Sequence, residues 1–169
     1  MSHPSDPPAS TAPTDEATPR APGTSWPQRL ARWLLGIALL LAGLGHLTVG
    51  REEFLAQVPP WLPLDGDFVV VASGVVEIAL GLALIVLGRW RVPVGWLVAL
   101  FFLAIFPGNI AQFTEGRDGF GLESDVARGI RLLFQPVLVA WALWSTGAWA
   151  AYRSRRATRR GDRSGTMRG

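Results

Sequence analysis

The sequence predicts an all-α membrane protein, a polytopic four-helix bundle with both termini in the cytoplasm. Hydrophobic residues make up 49% of its 169 residues, and the mean hydropathy is +0.27. Charged residues make up 17%, below the roughly 25% of a typical soluble domain. The charges also cluster between four long apolar segments, so that about half of the chain carries almost none.

Each apolar segment has the length of a membrane-spanning helix. A helix needs about 20 consecutive apolar residues to cross a hydrocarbon core of about 30 Å. We predict spans over residues 30–49, 68–88, 92–113 and 128–151, within a transmembrane domain over residues 28–152. Four buried helices of a soluble protein are the alternative, but such helices show a polar stripe along one side, and these segments show none.

The arginines determine the predicted orientation. Arg29 and Arg32 precede the first span, Arg89 and Arg91 connect the second span to the third, and a tail with seven arginines follows the fourth. The other two connections are mainly acidic. Because Arg and Lys favour the cytoplasmic side of short loops, both termini are expected to be cytoplasmic.

Two tails flank the predicted membrane domain. Residues 1–27 are rich in proline and poor in large apolar side chains, so we expect a disordered cytoplasmic tail. Residues 153–169 form an arginine-rich cytoplasmic tail, which we expect to anchor the topology and to contact anionic lipid. The pI near 10.9 is also typical of nucleic-acid binders, but this tail lacks aromatic residues for base stacking, and no nucleic-acid partner is expected.

The non-hydroxyl polar side chains well inside the predicted spans lie in the half farther from the cytoplasm. Ionisable groups cost about 2.5 to 3.5 kcal/mol at mid-depth, so they usually face the bundle interior and often mark function. Glycines recur every seven residues beside His46 and beside Glu77, as is typical of close helix contacts in membranes. We therefore predict one cluster that faces the bundle interior and is the candidate ligand-binding site: His46, Glu77, Asn109, Gln112, Arg131 and Gln135.

Three interpretations of this cluster are open. We predict that Glu77 and Arg131 form a buried pair, because an unpaired carboxylate at that depth would bind a proton instead. The cluster is then structural and holds the helices in register, or it is a pocket for a small polar or quinone-like molecule in which His46 or Glu77 exchanges protons. Passage of protons or another small solute is the third interpretation, and the apolar cytoplasmic half of every span disfavours it.

The absence of cysteine narrows the chemistry. Disulfides, thiolate catalysis, Cys-ligated zinc and iron–sulfur clusters are excluded. His46 is the single histidine outside the proline-rich tail, which excludes a haem held by two histidines of one chain. No metal site is expected, no cofactor is expected within the chain alone except a bound quinone, and no catalytic residue is identified.

Five short motifs occur in order along the membrane domain. They are Gly45-His46, Val58–Pro63, Ser73–Glu77 with Gly81, Phe106–Asn109 with Gln112, and Arg131 with Gln135-Pro136. In this order and at these depths they resemble the DoxX family of small bacterial four-helix membrane proteins, over roughly Leu30 to Trp149. The resemblance implies that the matching polar residues form a site shared by the family, in the inner (cytoplasmic) cell membrane.

The resemblance also implies a function. The DoxX family is named for a small subunit of a quinone-linked sulfur oxidoreductase, and relatives are connected with membrane redox complexes. We therefore expect an accessory or quinone-facing subunit of a membrane redox system rather than a stand-alone enzyme. The expected partners are the lipid bilayer and membrane or peripheral oxidoreductase subunits, and a second copy of the chain is a further candidate. The alternatives are a non-enzymatic scaffold or assembly protein and a small-solute or proton transporter.

Overall fold

All regular secondary structure that the structure describes is helical, which confirms the all-α class. The computed structural model describes residues 23–117 and 124–165. Its helices are α1 (Trp26–Leu47), α2 (Arg51–Leu55), α3 (Gly66–Val86), α4 (Arg91–Thr114), α5 (Asp125–Ser145) and α6 (Ala148–Gly165), with a turn of 3-10 helix at Gly88–Trp90. Residues 1–22 of the tail predicted to be disordered lie outside the described residues, and residues 26 and 27 already belong to α1.

Four helices of the described ranges are long and apolar enough to cross a membrane. They are α1, α3, α4 together with the 3-10 turn before it, and α5, and each corresponds to one predicted span. Their lengths lie between 20 and 27 residues, which matches the roughly 20 residues that a bilayer requires. The predicted multi-pass membrane protein is confirmed at this level.

The fourth span ends at Ser145 and not at residue 151 as predicted. Gly147 has a φ of 72°, the left-handed conformation that favours glycine and commonly ends helices. Its N–H donates to the carbonyl of Trp144 at 3.1 Å, and α6 begins one residue later and contacts α4 and α5. The break escaped prediction because the apolar run continues to Tyr152, and such a run is equally compatible with one long helix.

Side-chain caps determine where α1 and α3 begin. Gln28 accepts a hydrogen bond from the N–H of Ser25 at 2.9 Å, and Pro27 suits the first helical turn, so α1 starts before the predicted residue 30. Asp65 accepts a hydrogen bond from the N–H of Phe68, also at 2.9 Å, and caps α3. Both caps satisfy backbone donors that a helix start leaves unpaired.

The backbones of α1 and α3 touch along a glycine seam, formed by Gly36, Gly43, Gly74 and Gly81. A Cβ atom on Gly43 would lie 2.6 Å from the backbone oxygen of Gly74, and one on Gly81 would lie 2.7 Å from that of Gly36. Because no side-chain carbon approaches a backbone oxygen so closely, these positions require glycine. Small residues that let backbones approach are a main way in which helices associate in lipid.

The second close pair of helices is α4 and α5, and the two pairs meet in an apolar core. The core lies toward the end of the helices that we call the arginine-rich end, defined by Arg29, Arg32, Arg89 and Arg91. The core residues are Leu35, Leu39, Leu84, Val94, Val98, Ala99, Phe102 and Ala142. The opposite end, which we call the acidic end, is defined by Glu52, Glu53, Asp65, Asp67 and Glu115.

Replacing Gly43 by alanine is expected to destabilise the fold by about 1–3 kcal/mol, because the new Cβ overlaps the backbone of α3. Gly45→Ala is the matched control, since its Cβ would meet only Phe54, at 3.6 Å. Alanine also has a higher helix propensity than glycine, by up to about 1 kcal/mol, and this gain is the same for both changes. Thermal unfolding of the purified protein in detergent measures the difference in stability. Equal stability of the two variants would contradict the claim that the glycine seam excludes a side chain at Gly43.

Candidate functional site

A cavity of about 860 Å³ lies between the helices, in the half nearer the acidic end. α1, α3, α4 and α5 form its walls, and the connection from α2 to α3 contributes Val58, Pro59, Trp61 and Leu62. Most of the wall is apolar. Its polar side chains are His46, Gln57, Ser73, Glu77, Asn109, Arg131 and Gln135.

Most of the predicted site residues line this one cavity: His46, Glu77, Asn109, Arg131 and Gln135. Gln112 does not belong to the wall, although it is almost completely buried in α4. Its Nε2 has no hydrogen-bond partner within the residues described. Gln57 and Ser73 line the cavity as well, and neither is among the six predicted site residues, although Ser73 begins one of the five motifs.

His46 and Glu77 meet across the glycine seam. Nδ1 of His46 lies 3.1 Å from Oε2 of Glu77, and the two residues are 7% and 5% exposed. Helical side chains lean toward the N-terminus of their own helix, so in the antiparallel α1 and α3 these two lean toward each other. The predicted pair of Glu77 and Arg131 is wrong, because within the described residues the side chain at salt-bridge distance from Glu77 is His46, which is charged only when it is protonated.

The position of the His46 proton follows from its neighbours. Nδ1 lies 2.9 Å from the carbonyl oxygen of Ala42, which can only accept, so a proton on Nδ1 satisfies this contact. Oε2 of Glu77 is buried and has no hydrogen-bond partner within residues 23–117 and 124–165, despite the nearby imidazole. The His46 ring is stacked on Phe54 of α2, with centroids 3.3 Å apart. Glu77 thus presents a buried acceptor beside the cavity.

Arg131 holds the connection between α2 and α3 against α5. Its Nη2 donates to Oε1 of Gln57 at 2.6 Å. The backbone of Gln57 also touches α4, where a Cβ on Gly108 would lie 2.7 Å from the Gln57 carbonyl oxygen. Pro59 and Pro60 prevent a longer α2, so the chain turns back over the cavity. Gln57 is the single amide side chain of this connection, but the depth at which it lies depends on how the connection folds.

Asn109 and Gln135 form a second polar contact, between α4 and α5. Nδ2 of Asn109 donates to Oε1 of Gln135 at 2.9 Å, and Nε2 of Gln135 donates to the carbonyl of Phe102. The adjacent carbonyl, that of Leu103, loses its helical partner because Pro107 has no N–H. The proline therefore opens the backbone of α4 to side-chain donors at this level of the cavity.

Two wall side chains carry a buried polar atom without a hydrogen-bond partner in the described part of the chain, Nε2 of Gln57 and Oε2 of Glu77. An unpaired buried polar group costs about 1–3 kcal/mol, so a side-chain rearrangement that gives either atom a partner is favoured by that contribution. The described residues bring together no group of three His, Cys, Asp or Glu side chains that could hold a metal ion. The site is suited to a largely apolar molecule with a few polar atoms.

The fold and the cavity define a multi-pass α-helical membrane protein with an internal pocket. The chain belongs to the family described as "Domain of unknown function (DUF8561)", whose model matches residues 35–146. The matched range includes every predicted site residue. No curated protein and no solved structure matches the chain. The resemblance to DoxX is not tested by this match and stays a prediction.

His46 and Glu77 are expected to be coupled by about 0.5–3 kcal/mol in a double-mutant cycle of His46→Ala and Glu77→Ala. The reason is that removal of one partner leaves the other polar group buried and unpaired. Arg51 and Asp67 provide the comparison, because their ion pair of 2.8 Å joins side chains that are 45% and 54% exposed. Coupling there is expected to be at most about 1 kcal/mol. Thermal unfolding of all variants measures both couplings, and a value for His46 and Glu77 no larger than for the exposed pair would contradict this account.

Proposed function

We propose that this protein binds a quinone-like molecule in its cavity and acts as an accessory, quinone-facing subunit of a membrane redox system. The observation that carries the proposal is one cavity that combines apolar walls with unpaired buried hydrogen-bonding atoms. Its volume of about 860 Å³ falls within the roughly 300–1,000 Å³ of small-molecule pockets. A quinone has an apolar body and a carbonyl that accepts from Nε2 of Gln57, and after reduction its quinol hydroxyl donates to Oε2 of Glu77.

The polar wall residues supply both kinds of group that quinone chemistry needs. Arg131 and Gln57 are donors for a quinone carbonyl, since the Nε2 atom of Gln57 is buried and unpaired within the described residues. The contact between Arg131 and Gln57 orients the amide toward such a role. His46 and Glu77 are proton-exchanging groups held 3.1 Å apart.

Access from the bilayer supports a ligand dissolved in lipid. Some apolar wall residues are also exposed on the outside of the helices: Phe68 and Val76 of α3 are 62% and 42% exposed, and Ile130 and Phe134 of α5 are 58% and 53% exposed. In a membrane such side chains contact acyl chains. A quinone, which partitions into the bilayer, would reach these walls without crossing water.

The redox part of the proposal requires a second protein. Reduction of a quinone to a quinol takes two electrons and two protons. The chain has no cysteine to supply electrons. We therefore assign the electrons to a partner oxidoreductase subunit and the protons to His46 and Glu77, which is why an accessory role is proposed rather than an independent enzyme.

Filling the cavity is expected to weaken quinone binding. Ala72 of α3 lines the cavity, whereas Ala79 lies one heptad further along the same helix and outside the wall. Ala72→Phe is expected to weaken the binding of a short-chain quinone at least about tenfold, and Ala79→Phe to change it by less than about twofold. Quenching of tryptophan fluorescence, to which Trp61 in the wall contributes, measures the affinity. Equal affinity of both variants would contradict the proposed site.

A purely structural role of the polar cluster is the second candidate. It is favoured by the contacts of His46 with Glu77 and of Arg131 with Gln57, each of which joins separate segments without any ligand. The same quinone titration separates the candidates through the combined variant Glu77→Gln and Arg131→Met. The scaffold role requires that the wild type shows no saturable quenching by quinone and that the variant unfolds at a lower temperature, whereas the binding role requires that the wild type binds quinone and the folded variant does not.

For the arrangement in the membrane, we propose that the arginine-rich end faces the cytoplasm, so that both termini of the chain are cytoplasmic. Support comes from the separation of charges between the two ends of the helices, because arginine in short loops favours the cytoplasmic side. With this orientation the cavity lies in the half of the inner (cytoplasmic) membrane farther from the cytoplasm.

Because the chain contains no cysteine, one introduced cysteine reports the side on which it lies. Glu52 of α2 and Ser154 of α6 are both exposed and belong to opposite ends of the spanning helices. A membrane-impermeant maleimide is expected to label Glu52→Cys in intact cells. It is expected to label Ser154→Cys only after the cells are permeabilised. The opposite labelling pattern would reverse the proposed orientation.

A further inference from the structure

Arg32 is a buried arginine whose guanidinium has no protein partner in the described chain. The residue is 8% exposed, and its Nε is buried without a hydrogen-bond partner. No hydrogen bond or salt bridge joins the guanidinium to a residue of the ranges 23–117 and 124–165. A guanidinium that loses water at one nitrogen without gaining a protein acceptor is stabilised by an anion at its remaining donors.

The charges near Arg32 are positive. Arg91 and Arg29 are the charged groups that act on its guanidinium. The carboxylates with described side chains all lie toward the acidic end or beside the cavity, far along the helices from Arg32: Glu52, Glu53, Asp65, Asp67, Glu77 and Glu115. No carboxylate of the described part of the chain is therefore placed to neutralise Arg32.

The guanidinium lies beside the C-terminal end of α3. A Cβ atom on Gly88 would lie 3.8 Å from both Nη1 and Nη2 of Arg32, two residues after α3 ends at Val86. A helix C-terminus carries a partial negative charge of about half an electron, which favours a cation there. This partial charge attracts the arginine but leaves its buried Nε–H donor without an acceptor among the described residues.

Exposed tryptophans indicate that Arg32 lies at the level of the lipid headgroups. Trp33, Trp90 and Trp144 surround the arginine-rich end and are 52%, 58% and 51% exposed. Tryptophan is enriched at the membrane–water interface. The anions at that level are the phosphate groups of lipids, and arginine binds phosphate through parallel N–H donors.

We propose that Arg32, with Arg29 and Arg91 beside it, binds a phosphate group at the arginine-rich end, and that an anionic lipid headgroup supplies this phosphate. The site lies at the opposite end of the helices from the cavity, so it does not depend on the proposed quinone binding. Its role is to neutralise the Arg32 guanidinium and to tie the start of α1 to the link between α3 and α4.

The test compares the full chain with two variants that each remove one arginine from the same end. Arg32→Gln removes the buried guanidinium, and Arg89→Gln removes an exposed one as the matched control. Each delipidated protein is unfolded by heat in detergent with phosphatidylglycerol, with phosphatidylcholine of the same acyl chains, or with inorganic phosphate. The wild type and Arg89→Gln are expected to melt about 5 °C higher with phosphatidylglycerol than with phosphatidylcholine, a shift that Arg32→Gln loses.

The outcomes separate the sources of the phosphate. A rise in melting temperature with phosphatidylglycerol alone identifies the lipid headgroup as the source. An equal rise with inorganic phosphate that also requires Arg32 identifies a free phosphate site. An equal rise in the melting temperature of all three proteins, or no rise for the wild type, would overturn the proposal. If Arg32→Gln does not fold, native mass spectrometry of the wild type and Arg89→Gln decides, since equal retention of phosphatidylglycerol and phosphatidylcholine would also overturn it.

Discussion

The contact between the backbones of α1 and α3 determines how the rest of the molecule is arranged. At Gly43 and Gly74 the two helices approach so closely that a Cβ on the first would lie 2.6 Å from the carbonyl oxygen of the second. His46 lies one turn beyond Gly43, and Glu77 lies one turn beyond Gly74. Because the helices are antiparallel and their side chains lean toward their own N-termini, the seam brings the imidazole and the carboxylate within 3.1 Å. A wider helix separation would leave both groups buried and apart.

The cavity exists because the two helix pairs are packed differently along their length. Toward the arginine-rich end, large apolar side chains such as Leu84 and Phe102 fill the space between the pairs. Toward the acidic end the space is bridged by the connection between α2 and α3, which Arg131 and the backbone contact at Gly108 hold in place. The polar contacts therefore join the segments around the cavity, and they leave Nε2 of Gln57 and Oε2 of Glu77 buried without a hydrogen-bond partner among the described residues.

Much of this arrangement could be predicted from single residues. The parts that could not be predicted share one physical cause. Absence of charge locates spanning helices, and the depth of Glu77, Asn109 and Gln135 along them indicates which side chains share a level. The partner of Glu77 could not be predicted, because helix periodicity defines a face but not which neighbouring helix lies closest. The role of Gln57 depends on the path of an irregular segment after Pro59, and the helix end before Gly147 depends on one backbone angle inside an apolar run.

The glycine seam and the cavity walls differ in how much sequence change each can accept over evolutionary time. At Gly36, Gly43, Gly74 and Gly81 the space for a side chain is occupied by backbone or side-chain atoms of the facing helix, so even one added methyl group is excluded. Wall residues such as Val76 and Phe134 border open space or lipid, where a different apolar side chain alters the shape of the cavity without moving a helix. Descendants of this chain can therefore change the shape of the cavity while the frame around it is inherited unchanged.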